Sequence, residues 1–219
     1  SLLMTLSHKL NNSLNHHLSL SNSYKPGGIN QSILEQLDEN LEEYTKESVL
    51  SIEYGLNIFT KHINSKVSIF SSKRIDPQVR FYYRPNPGNP LSFDYFTANT
   101  KGGSVSGLEL EINGFLTKNL SISQSIGLLK SMMDEYSSPL NNTVYEEREA
   151  AHSPNYNYKT SIYYSKNNID ATFALTGVDD FYFDDQASEK SDPYNLIHFN
   201  LGYTIKKFKL SLWGKNIFD

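Results

Sequence analysis

The residues best equipped for chemistry in this 219-residue chain crowd into one stretch, "RFYYRPNPGNPLSFDYF", Arg80 to Phe96. It sets Tyr82, Tyr83 and Arg84 close to Tyr95 and Phe96. Aromatic faces stack on planar or cationic groups, and a guanidinium pairs bidentately with carboxylate-like oxygens, so the set suits capture of a metal chelate that bears catecholates or carboxylates. It equally suits a loop packed on itself, or a girdle of aromatics at a membrane surface. Two acidic stretches, "EQLDENLEEY" (Glu35 to Tyr44) and "DDFYFDDQ" (Asp179 to Gln186), offer the oxygen ligands that calcium takes. They lack the fixed spacing and the Gly of an EF-hand loop, and solvated loop faces, bridged through cations to an anionic surface, account for them as well.

His16 and His17 are neighbours on a strand-like segment and so point to opposite faces, which removes them as a metal pair. His8, His62, His152 and His198 have no ligand-like spacing. No metal site and no cofactor is expected. A general-base role remains open for His152 with Asp179 and Asp180, which would activate water at the rim of a small barrel.

The elements that must hold these residues are written with a period of two. In "GLELEINGFLTKNLSISQSIGLL", Leu108, Leu110, Ile112 and Leu116 alternate with Glu109, Glu111 and Asn113, and after "TKN" the alternation resumes with Leu120, Ile122, Ile126 and Leu128 against Ser121, Ser123 and Ser125. Each such segment is a strand with one apolar and one polar face. About ten are expected, at approximately Leu2–Leu10, Leu14–Tyr24, Glu47–Lys61, Lys66–Ile75, Ser104–Thr117, Leu120–Lys130, Asn155–Ser165, Ile169–Val178, Tyr194–Ile205 and Phe208–Ile217. Tight turns at Asn11 to Ser13, His62 to Ser65, Lys118–Asn119, Asn167–Asn168 and Lys206–Lys207 alternate with long polar segments at Lys25 to Lys46, Asp76 to Gly103, Ser131 to Pro154 and Asp179 to Pro193. Short turns at one end and long loops at the other define an antiparallel up-and-down transmembrane β-barrel, with short periplasmic turns and long outer loops. The Leu/Ile face would then meet lipid, and the Glu/Asn/Ser face would line the lumen. The competing fold is a soluble β-domain that buries the Leu/Ile face and binds carbohydrate through exposed Tyr.

Composition narrows the partners. A formal net charge of -4, without a Lys/Arg cluster, gives no reason to expect nucleic acid. No cysteine is present, so disulfides and thiolate metal sites are excluded. No run of about 18 apolar residues marks a spanning helix, and "SLLMTLSHKL" does not read as a signal peptide. The 15 Tyr beside 12 Phe fit a chain that presents aromatics at a wet boundary.

Six strings, in order along the chain, resemble the C-terminal half of TonB-dependent outer-membrane receptors. They are "SYKPGGIN" (Ser23 to Asn30), "ESVLSIEYGLN" (Glu47 to Asn57), "DPQV" (Asp76 to Val79), "GLELE" (Gly107 to Glu111), "AAHSPNYNY" (Ala150 to Tyr158) and "KNIFD" (Lys215 to Asp219). The resemblance implies a receptor in the outer membrane of a Gram-negative bacterium, with energised uptake of a ferric chelate (siderophore or haem) or a similarly scarce ligand and no catalysis in the barrel. It implies a TonB complex as partner, reached through an N-terminal region that this sequence lacks, and contact with outer-membrane lipid and lipopolysaccharide. It makes Glu53, Glu109 and Glu111 candidates for facing a plug inside the lumen. It also implies that residues 1–219 are one barrel domain in fragment, about strands 12 to 21 of roughly 22, without the plug domain, the TonB box or the last strand. The other classes kept open are an omptin-like barrel protease and the soluble carbohydrate-binding domain.

Overall fold

A computed structural model of the chain describes residues 1–30, 39–84, 86, 88–186 and 188–217. The strands are, in order, β1 (Leu2–Asn11), β2 (Leu14–Lys25), β3 (Gly28–Ile29), β4 (Glu43–Tyr44), β5 (Glu47–Phe59), β6 (Ile63–Ile75), β7 (Gln78–Tyr83), β8 (Asp94–Asn99), β9 (Gly102–Thr117) and β10 (Leu120–Met133). They continue with β11 (Tyr136–Ser137), β12 (Val144–Tyr145), β13 (Arg148–Glu149), β14 (Tyr156–Lys166), β15 (Ile169–Val178), β16 (Tyr194–Ile205) and β17 (Phe208–Lys215). Ten of them form one antiparallel wall in the order β1-β2-β5-β6-β9-β10-β14-β15-β16-β17, so each pairs with the next wall strand in the chain. These are the ten strands expected from the sequence, and the fold is all-β with a sheet that does not close on itself.

The register keeps the two faces separate across the wall. On one face Tyr54, Ile69, Leu108, Leu128 and Tyr156 stand in a row, and Leu56, Val67, Leu110, Ile126 and Tyr158 in the next. On the other, Gly55, Ser68, Glu109, Gly127 and Asn157 form one row, and Asn57, Lys66, Glu111, Ser125 and Lys159 the next. A one-residue slip in any pairing would mix these rows, which is why the alternation specifies the register so firmly. Gln124 is an intruder on the apolar face, opposite Ile112 and Thr160. Its Oε1 accepts from Thr160 Oγ1 at 2.6 Å and its Nε2 donates to the Ser125 carbonyl at 3.1 Å, so its amide is satisfied locally.

Among the described residues no second layer covers the apolar face: Leu50, Ile52, Ile69, Leu128 and Leu210 all remain exposed. That arrangement excludes a sandwich, whose cohesion depends on burying such a face against another sheet. The buried apolar cluster lies among the loops instead, where Val79, Phe81, Phe96, Met133, Tyr136 and Ala150 pack together with Leu41, Tyr83 and Leu140 against them. The segments expected as plain polar loops therefore carry structure of their own. β7 and β8 pair as a hairpin within Asp76 to Gly103, β3 pairs β4, and β11 pairs β12.

Candidate functional site

The β7–β8 hairpin is the most elaborate of these loop structures, and its register decides which of its side chains are available. Phe81 stands opposite Phe96, Tyr82 opposite Tyr95, and Arg80 opposite Thr97. Side chains alternate across a strand, so the pairs divide into two faces. Val79, Phe81 and Phe96 form the inner one. Phe81 is 1% and Phe96 3% exposed, their rings stack at 5.5 Å, and the Tyr136 ring meets Phe81 edge-on at 6.1 Å. Burying two Phe side chains removes apolar area worth about 1.5–3 kcal/mol each, enough to fix a hairpin that would be marginal by itself.

Hydrogen bonds tie the hairpin to the loops on both sides. At its base the Glu47 carboxylate accepts from Arg74 Nε at 2.7 Å and from the Gln78 amide at 3.1 Å. Gln78 Nε2 donates to the Pro26 and Thr45 carbonyls, and Asn30 brackets Thr97 by accepting from its amide and donating to its carbonyl. Gln186 Nε2 donates to the Arg80 carbonyl at 2.9 Å, while Tyr136 Oη donates to the Asp185 carbonyl at 2.7 Å. Burial pushes the Tyr136 hydroxyl well above its ordinary pKa, with Asp185 adding to the effect, so it stays a neutral donor. Three other loop regions thus converge on one hairpin.

The outer face of the hairpin carries Arg80, Tyr82 and Arg84 alongside Phe93 and Tyr95. The Arg80 guanidinium lies 4.1 Å from the centroid of Tyr95, and that of Arg84 lies 4.9 Å from Phe93. One cation–aromatic stack therefore includes Tyr95 of the Tyr82–Tyr95 pair and the other lies beside it, and the two tyrosines are 49% and 50% exposed. Stacking leaves the N–H edge of a guanidinium directed sideways, where it can bind oxygens bidentately. The arrangement suits a planar, oxygen-rich anion.

Among the residues singled out in the sequence, Tyr82, Tyr95 and Arg84 fall together on this face. Tyr83 lies on the opposite face, half-buried against the loop cluster, and Phe96 is a buried anchor that cannot touch a ligand on the outer surface. Arg80 and Phe93 were missed; the alternation in "RFYYR", which puts Arg80, Tyr82 and Arg84 on one side, was the available signal.

Glu53, Glu109 and Glu111 all lie on the polar face of the wall. Glu53 Oε1 is 3.1 Å from His17 Nε2, and Glu111 stands opposite Lys66. Gly55 lies directly beneath the His17 ring, which a side chain at that position would displace. His16 and His17 do face opposite ways. His8 stands across the β1–β2 register from His16, with Nδ1 3.1 Å from His16 Nε2, and Tyr54 Oη reaches His16 Nδ1 at 3.3 Å.

The acidic segment 179–186 is spent on brackets. Asp180 pairs with Lys190 at 2.9 Å, Asp185 Oδ1 accepts from the Ala151 amide, and Asp184 Oδ1 accepts from the Gln186 amide. Lys190 also reaches Glu149 at 3.1 Å, and the hydrogen bond from Asn155, with that from Lys190, holds the Glu149 carboxyl below its usual range. Residues 35–38 of the other acidic segment lie outside the described residues. Among the described residues no group of three or more His, Asp or Glu is placed to hold a metal. The His152 ring leans on Phe181 at 5.9 Å. No hydrogen bond between described residues joins it to Asp179 or Asp180.

An open antiparallel wall with an uncovered apolar face, a polar reverse face and structured loops at one end defines a transmembrane β-barrel wall. The chain belongs to the TonB-dependent receptor-like β-barrel family, whose pattern it matches over residues 5–217. That family is one of outer-membrane receptors and transporters. Solved structures share the fold. The ferric yersiniabactin uptake receptor FyuA from Yersinia pestis is 18% identical, with a TM-score of 0.79 over 99% of this chain and 32% of its own. The siderophore receptor PiuA from Acinetobacter baumannii is 17% identical, with a TM-score of 0.72 over 96% of this chain and 30% of its own. The copper transporter OprC is 16% identical, with a TM-score of 0.73 over 99% of this chain and 33% of its own. The chain spans about a third of the length of these structures.

Proposed function

We propose that the chain is the C-terminal part of the barrel of an outer-membrane receptor that takes up a ferric chelate through work delivered by TonB. The observation that carries this reading is the exposed face of Arg80, Tyr82, Arg84, Phe93 and Tyr95, held by the buried Phe81 and Phe96 on the far side of the same hairpin. Such a face favours a delocalised anion that stacks and accepts hydrogen bonds, as a metal chelate does. It does not favour a bare metal ion, which needs convergent carboxylate, imidazole or sulfur donors. FyuA and PiuA, siderophore receptors that share the fold, support the same choice of cargo.

In this reading Glu53, Glu109 and Glu111 line the lumen toward a plug that another part of the receptor supplies, and the outer loops contact lipopolysaccharide. The wall itself performs no catalysis.

The test is equilibrium binding of a panel of ferric catecholate, hydroxamate and carboxylate chelates to the full-length receptor in outer-membrane vesicles. Tyr82→Ala and Tyr95→Ala should each weaken the best-bound chelate, with the rim still folded. Unchanged affinity in both variants for every chelate would sink the assignment of the site.

A further inference from the structure

The wall sorts its acidic residues by end, while its basic residues occur at both. Of the 24 acidic residues, Glu53, Glu109 and Glu111 lie within the wall and Asp170 beside a short turn. The rest lie on the long loops or on strand ends that open into them, the terminal Asp219 apart. The short-turn end is basic. Lys61, Lys118, Lys206 and Lys207 occupy the turns themselves, and Lys9 and Lys166 stand next to turns. All six are exposed, and none has an ion-pair partner among the described residues. Lys209 is the exception at this end, held by Asp170 at 3.2 Å.

Backbone conformation adds an independent mark. Asn167 opens its two-residue turn at a φ of 55°, a left-handed conformation that Asn tolerates. Lys206 opens the equivalent turn at a φ of 53°, where Asn or Gly would be less strained. A lysine therefore sits at a position where backbone preference argues against it.

Directly above these turns on the apolar face stand Tyr164, Ile169, Tyr203, Ile205 and Phe208, all exposed. Tyrosines at the edge of an apolar band, with lysines just beyond, are placed for the boundary between acyl chains and headgroups. The turns recur along the foot of the wall once every two strands, about 10 Å apart. A row spread in that way matches a continuous anionic surface better than the compact footprint of an acidic peptide.

We propose that the short-turn rim is a docking surface for anionic phospholipid, with Lys61, Lys118, Lys206 and Lys207 recruiting phosphate-bearing, net-negative headgroups of the phosphatidylglycerol class from the leaflet at that end. This rests on the wall lying in a membrane as set out under Proposed function. The attraction is screened by salt over a Debye length of about 8 Å at physiological ionic strength.

The experiment uses the full-length receptor in nanodiscs of phosphatidylethanolamine and phosphatidylglycerol, with a donor fluorophore on Asn119→Cys. Energy transfer is compared for headgroup-labelled phosphatidylglycerol and phosphatidylcholine. The expected result is a several-fold preference for phosphatidylglycerol that falls with added salt. It should disappear when Lys61, Lys118, Lys206 and Lys207 are all replaced by Gln. Equal transfer from both lipids, or a preference that survives the fourfold replacement, overturns the proposal. So does displacement of the labelled lipid by added poly-glutamate at low stoichiometry, which reassigns the rim to an acidic protein partner. A second label, on Leu110→Cys, is read with lipids brominated on their acyl chains. Quenching there with no headgroup preference refutes the lipid dock alone; no quenching refutes the placement of the wall in a bilayer and the dock with it.

Discussion

The wall and the loop rim use the same residue types in opposite ways. In the wall, Leu50, Ile52 and Leu128 stay exposed and contribute nothing to an internal core; cohesion comes from the backbone ladders and from the bilayer that the apolar face addresses. In the rim, Phe81, Phe96, Met133 and Tyr136 are buried as in a water-soluble domain. The difference teaches that one chain can satisfy two solvents at once, provided its apolar residues are patterned by strand period in one region and by contacts between distant loops in the other.

Phe81→Ala is the severest test of this separation. It removes a fully buried ring at the centre of the rim, with an expected loss of about 3–5 kcal/mol. Hydrogen exchange should show amides of β7 and β8 losing protection while those of β9 and β10 keep theirs. If the wall loses protection too, the two regions fold as one.

Leu110→Arg probes the other side of the comparison. Placed near the bilayer midplane it should cost about 2–4 kcal/mol of insertion free energy, measured by reversible urea unfolding in lipid vesicles, and leave the rim intact in detergent. A negligible cost would mean that the Leu/Ile face does not meet lipid.

Replacing Arg80 and Arg84 together by Gln should weaken chelate binding by about 1–3 kcal/mol without altering exchange in β7 or β8. Lost protection there would show that the stacked guanidiniums hold the hairpin together and that the binding defect is secondary.

The smallest effect concerns pH. Glu149 has a depressed folded pKa, so its hydrogen bonds with Asn155 and Lys190 contribute above the ordinary carboxylate range near 4 and are lost as the pH falls through the folded value. Backbone exchange in the segment around Arg148 to Asn155 should quicken in that acid window, with the wall unaffected. Glu149→Gln should remove the pH step.

The wall was legible in the sequence because period two and turn spacing are local signals. β15 and β16 match their expected bounds, whereas β6 begins at Ile63 and β10 runs on to Met133. Those extensions depend on partners that periodicity does not name: Ile63 pairs with Gly114, and Met133 with Gly103. The rim was legible only as composition. Tyr82, Arg84 and Tyr95 stood out as residue types, but the burial of Phe96 follows from its register with Phe81 and from Tyr136, which is 40 residues further along the chain. The bond between Tyr136 and Asp185 likewise joins two loops that no local pattern connects.

The pairing of every wall strand with its successor in the chain makes the hairpin a unit of inheritance. A duplicated or deleted hairpin shifts the perimeter of the sheet by two strands and leaves every remaining ladder in phase, so the wall tolerates such events wherever no loop depends on its neighbours. Between β2 and β16 that tolerance ends, because a hairpin inserted there would pull the β7–β8 hairpin away from Asn30, from Met133 and Tyr136, or from Gln186, and scatter the face that carries Arg80. Such a barrel can therefore widen or narrow only outside the strands whose loops hold the hairpin, and the stretch from β2 to β16 is confined to point substitution.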